Sequence, residues 1–177
     1  MHKVSLFIFL FSLLSVPLTA QKTEKFLEHR LIKDGHMYFI HDLEYSSNSK
    51  GSYIENDFTF TKTTTNVNAI CNTSLYSKTA KGIPDSVVVS NASEHYTIHG
   101  DQIQLFYAEK EKKHWKSRLS IPFEENQFSS LLSSAEGLTF EFYYGEVSYT
   151  MTLKKKFFSV LEEAYEIIQL NTSQSSH

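Results

Sequence analysis

The sequence predicts an α+β domain. The sheet is mainly antiparallel and curved, with about seven or eight strands, a short helix near residues 124–135 and an amphipathic helix at the C-terminal end. Three observations carry this. Apolar residues alternate with polar ones over most of residues 36–153, the period of strands with one face buried. Glycine-led two-residue breaks interrupt the alternation at Gly100-Asp101 and Gly145-Glu146, where tight hairpin turns belong. Apolar stripes at helical spacing are clear in only two places, Glu124–Ala135 and Lys155–Leu170. A closed β-barrel with the C-terminal helix against it is the alternative architecture.

The chain of 177 residues opens with Lys3, an apolar run from Leu6 to Val16, and Pro17-Leu18-Thr19-Ala20. That order is the pattern of a secretory signal peptide over residues 1–20, and the apolar run is too short for a membrane span. The expected organisation is therefore a leader, one domain over 21–170 and a disordered polar tail over 171–177. A secreted or periplasmic location follows. Cys71 is the only cysteine, so the exported domain must hold together by packing and not by an internal disulfide. Its place in the apolar phase of Val67, Ala69, Cys71, Thr73 and Leu75 marks it as a small buried hydrophobe.

Thr23–Lys33 has Phe26, Leu27, Leu31 and Ile32 at roughly helical spacing with Gly35 beyond, which suggests a short helix. From His36 the period becomes two. Met37, Phe39, His41, Leu43 and Tyr45 alternate with Tyr38, Ile40, Asp42 and Glu44, a strand ended by the polar loop 46–52. Strands follow over Tyr53–Thr65 and Asn66–Ser77, and Lys78–Pro84 leads to the β-branched run Val87-Val88-Val89. Closing a hairpin on Gly100-Asp101 would pair Ile98 with Ile103 and Tyr96 with Leu105.

Glu109–Lys113 reads as a charged loop. Trp115, Ser117, Leu119 and Ile121 then form the apolar phase of a strand that Pro122 ends. In the helix over 124–135, Phe128, Leu131, Leu132 and Ala135 form one stripe. Glu124 and Glu125 occupy its first turn and Gly137 stands past its end. The hairpin on Gly145-Glu146 sets Tyr144 against Val147, Phe142 against Tyr149, Phe140 against Met151 and Leu138 against Leu153. Every pair on that face is apolar, so a one-residue slip would ruin the match. The last helix offers Phe157, Phe158, Val160, Leu161, Ala164, Tyr165, Ile167 and Ile168 as its buried face.

Most chemistry is excluded by spacing. The glycines lie at 35, 51, 82, 100, 137 and 145, too dispersed for a dinucleotide fingerprint or a Walker loop. No Gly-x-Ser-x-Gly elbow or His-Glu-x-x-His helix occurs. His95 and His99 sit on a strand, where a four-residue separation is about 13 Å, too far for one metal ion. Lys110, Lys112, Lys113, Lys116 and Arg118 surround Trp115, but Glu109 and Glu111 interrupt them and the net charge is −3, so no nucleic-acid partner is expected. Asp42 with Glu44, and Glu55 with Asp57, share strand faces and read as ordinary exposed acids. No catalytic residue, cofactor or metal is assigned.

Ten tyrosines and fourteen phenylalanines make the strands rich in aromatics. The candidate ligand-binding set is Tyr96, Tyr107, Trp115, Phe140, Phe142, Tyr144 and Tyr149, a sheet face able to receive an apolar small molecule or a protein partner. The function expected is thus an exported, non-enzymatic binding domain. An inhibitor or immunity-type protein, an envelope structural subunit and a metal-dependent hydrolase are the alternatives.

Overall fold

Gly145, at φ +60°, turns the chain between β9 (Thr139–Tyr144) and β10 (Val147–Leu153). The strands pair in the expected register: Tyr144 with Val147, Phe142 with Tyr149, Phe140 with Met151. A bond from the Leu153 amide to the Leu138 carbonyl, 2.8 Å, carries the match one step further. The structure is a computed structural model that describes residues 23–174. The expected leader, residues 1–20, lies outside them.

After a 3-10 turn at Lys155–Phe157, the C-terminal helix runs over Phe158–Gln174 and the shorter helix, α1, over Glu125–Ser133. The C-terminal helix, α2, buries Val160, Leu161, Ala164 and Ile168 at its inner side beside Phe157 of the preceding turn, and packs on α1. At about 1.5–3 kcal/mol for each large apolar side chain, this face contributes on the order of 10 kcal/mol before chain entropy is charged. Phe128 of α1 stacks on Phe60 with ring centroids 5.1 Å apart. The inner faces of the strands and both helices form one continuous apolar core.

Eight further strands are β1 (Leu27–Ile32), β2 (Gly35–Ser47), β3 (Tyr53–Thr63), β4 (Val67–Ser77), β5 (Ser86–Ser90), β6 (His95–His99), β7 (Gln104–Glu111) and β8 (His114–Phe123). All pairings are antiparallel, in the order β6-β5-β9-β10-β2-β3-β4-β8-β7, with β1 added on β2. Ten strands among the described residues exceed the expected number. β6 and β7 end the sheet without pairing each other, so the curved sheet stays open and is not a closed barrel. Its curvature centres on β2. A bulge between Ile40 and Leu43, with Asp42 at φ +58°, bends the strand so that its first half pairs with β1 and its last residues with β10.

Several local expectations are corrected. The helix over Thr23–Lys33 is instead β1, because Asp34 at φ +65° closes a two-residue turn onto β2. Gly35 is a packing residue and not a helix stop: a Cβ there would lie 2.1 Å from the Lys62 carbonyl. Gly100-Asp101 does not close a hairpin. It forms a 3-10 turn whose Gly100 amide donates to the Asp85 carbonyl, while β6 pairs with β5 (Ile98 with Val87) and β7 with β8. The partner strand β5 offered Ile98 an equally apolar match.

The charged stretch 109–113 is strand through Glu111, with Lys112 at φ +55° turning the chain and Glu109 facing Lys116. β8 continues through Pro122 because β7 pairing has ended at Ser120, leaving one ladder there. Finally, α2 runs four residues into the expected tail, and Thr172 is buried with its hydroxyl donating to the Ile168 carbonyl.

Candidate functional site

The aromatic set picked from the sequence falls in four places. Phe140 and Phe142 are 0% exposed, with Phe140 against Tyr45 and Phe58. They are core, and no ligand reaches them without opening the sheet. Tyr144 and Tyr149 meet edge to face at 6.1 Å, with the Lys81 ammonium 5.1 Å from each ring. The Tyr144 hydroxyl also donates to the Gly82 carbonyl, so this pair clamps the 78–85 loop. Burial pushes the Tyr144 phenol well up. Tyr96 is half-buried on edge strand β6, and Tyr107 and Trp115 lie on β7 and β8 at the other edge.

A different constellation is assembled on the outer face. Strand alternation sends Glu55 and Asp57 of β3, Ser74 and Tyr76 of β4, and Lys116 and Arg118 of β8 away from the helices. The Arg118 guanidinium donates to both Asp57 oxygens, and its second nitrogen donates to Ser74 Oγ at 3.0 Å. The Tyr76 hydroxyl donates to Glu55 at 2.9 Å. Tyr53 stacks on Tyr76 with centroids 4.2 Å apart, His114 packs edge-on to Tyr53, and the Lys116 ammonium lies 5.4 Å from the Tyr76 ring.

Beside this row the β2 bulge opens a groove of about 490 Å³, lined by His41, Asp42, Glu44, Glu55, Asp57 and Arg118. His41 Nδ1 is 3.3 Å from Asp42. Glu44 accepts from Lys154 and Lys156, which hold its carboxyl down to about 2. Every carboxylate lining the groove therefore has a partner inside the chain. The sequence separated these residues by up to 77 positions, and only the pairing of β3, β4 and β8 unites them. Alternation marked Asp42 with Glu44, and Glu55 with Asp57, as exposed acids, but set His41 in the opposite phase. It gave no signal that they are neighbours.

A second depression, about 630 Å³, opens where β1, β2 and β3 end near the close of α2, lined by Leu31, Ile32, Asp34, His36, Lys62 and Thr172 among others. His29 Nε2 and His36 Nδ1 are 2.9 Å apart, and the rings lie within 12° of parallel with centroids 5.1 Å apart. The Tyr38 ring stacks on His29 at 4.5 Å. His95 and His99 are exposed on β6. Among the described residues no group of three or more His, Cys, Asp and Glu side chains is placed to hold a metal ion, and no helix is long and apolar enough to cross a membrane. Comparison with protein-family models, with curated proteins and with solved structures finds no match to this chain.

Proposed function

We propose that the chain is an exported, non-enzymatic binding domain that engages a protein partner through the outer face of β3, β4, β8 and β7. The observation that carries this is the Tyr53–Tyr76 stack set beside the Arg118–Asp57 pair, on the face the helices do not occupy. Tyr53 is 38% exposed and Tyr107 40% exposed. Tyrosine and arginine held rigid by their neighbours are the side chains that anchor protein interfaces at low entropic cost. The inner face, where the aromatic content is greatest, is spent on the core.

The test is affinity purification from the native host with wild-type protein, a Tyr53→Ser/Tyr107→Ser variant and a Val147→Ser control at the opposite hairpin tip. A partner retained by wild type and control but lost with the double variant supports the reading. Identical recovery with all three proteins, or no recovery with any, rejects it.

A second reading, an apolar small molecule, is favoured by the depression beside Leu31 and Ile32, since Leu31 is 78% exposed there. Native mass spectrometry of the purified protein separates the two readings: a bound lipid-like mass removed by Leu31→Ser supports this one, and its absence speaks for the outer face.

A further inference from the structure

β1 stands apart from the main strand order and is held by β2 alone. Four of its six residues are exposed, so little apolar burial secures it. At its start Phe26 packs edge-on against Phe157 and its carbonyl accepts from the His41 amide. Across the body of the hairpin, the side-chain links to β2 are the His29–His36 pair, the His29–Tyr38 stack and the Arg30 guanidinium 5.2 Å from the Phe39 ring centroid; of these, the His29–His36 pair depends on a neutral ring.

The ring geometry identifies the link. Nitrogens 2.9 Å apart, with centroids only 5.1 Å apart and planes nearly parallel, place the rings edge to edge, nitrogen facing nitrogen. One ring must donate N–H and the other accept with a lone pair. A doubly protonated pair has no lone pair to accept with and sets two cations against each other.

We infer that the His29–His36 pair is an acid-sensitive clasp: it holds β1 on β2 while at least one ring is neutral, and releases β1, widening the depression at Leu31 and Ile32, when both are protonated.

The surroundings of His29 favour its neutral form. From β2 the pair faces Tyr38. From β3 it faces Lys62, the cross-strand partner of His36, whose ammonium is 3.5 Å from Glu125 of α1. α2 contributes the uncharged Thr172 to the same depression, and the turn contributes Asp34. Glu28 and Arg30 pair with each other on the opposite face of β1. Burial, then the neighbouring His36, pull the His29 imidazole below its usual range. Opening therefore takes up a proton between the ordinary histidine range and the depressed one, so closure weakens as pH falls through that window. For one proton, the opening equilibrium rises about tenfold per pH unit.

Hydrogen exchange of the full chain at about pH 7.5, 6.5 and 5.5, corrected for intrinsic rates, reads this directly. Protection of the β1 amides should fall about tenfold per unit across the window while β3 and β4 hold, and a His29→Gln/His36→Gln variant should abolish that dependence. Unchanged wild-type protection, or an equal fall in the variant, overturns the inference. Should the variant not fold, the wild-type imidazole proton resonances decide. A His29 midpoint below the ordinary histidine range supports the clasp, and an ordinary His29 midpoint defeats it.

Discussion

Replacing Arg118 with Met, Asp57 with Ala, and both together isolates the pair at the centre of the candidate site. The side chains of Arg118 and Asp57 are 23% and 29% exposed, so the pair is neither a solvated surface contact nor a buried one. Arg118 makes two bonds to the carboxylate and one to Ser74. Hydrogen bonds to charged groups contribute about 1.5–3 kcal/mol. Arg118→Met leaves Asp57 without its cationic partner and facing Glu55, and should cost about 3 kcal/mol. Asp57→Ala leaves Arg118 its bond to Ser74 and access to water, and should cost about 2 kcal/mol. The double variant should lose less than the sum, giving a coupling of about 2 kcal/mol. Urea unfolding near neutral pH measures all four corners of the cycle, with constant m-values as the check on two-state behaviour. A coupling below about 0.5 kcal/mol would refute the reasoning, because the contact of one guanidinium nitrogen with both carboxylate oxygens would then be no more than a screened surface contact.

The Glu44 carboxyl, held by Lys154 and Lys156, should titrate near 2 by carbon NMR, and Lys154→Ala/Lys156→Ala should return it to the ordinary carboxylate range. Its folded value lies below its unfolded one, so its contribution to stability is present above the ordinary range and fades as pH falls toward about 2. A wild-type midpoint in the ordinary range contradicts the two-lysine clamp. Cys71 is fully buried and its thiol is pushed far up by burial, so a thiol reagent should label it only at the rate of global unfolding. Rapid labelling of native protein would show that β4 opens locally. Asp42 at φ +58° should accept Gly with a gain of about 0.5–1 kcal/mol and reject Val with a loss of about 1–2 kcal/mol by thermal melting. Equal stability of the two variants would mean that the bulge does not hold this conformation.

Where local chemistry and long-range pairing agreed, the fold was legible. Gly145-Glu146 specifies its turn and every apolar pair around it, and Phe128, Leu131 and Leu132 specify the buried side of α1. At Gly100-Asp101 local chemistry pointed one way and the partner strands another. Ile98 found Val87, Leu105 found Leu119, and the dipeptide became a connection between the two edges of the sheet. At Thr23–Lys33 a loose apolar spacing competed with cross-strand pairing, and six residues joined β2. The candidate site was the least legible part. Tyr53, Tyr76, His114 and Arg118 lie on three strands, and a one-dimensional pattern does not state which strands are neighbours.

The bulge in β2 ties the site to the scaffold. Without it, β2 would run straight, and β1 and β10 would compete for the same edge of one strand. Bending after Ile40 gives each its own half, which lets β10 and β9 carry their apolar face round to meet α2. The same irregularity leaves His41 and Asp42 out of the β2–β3 register and turns them toward Glu55, Asp57 and Arg118, which is where the groove opens. Curving the sheet over its core and opening a recess on its outer side are thus two consequences of one inserted residue. A change that straightens β2 should therefore damage both at once, whereas Arg118→Met should alter the recess and lower stability while leaving the strand order intact.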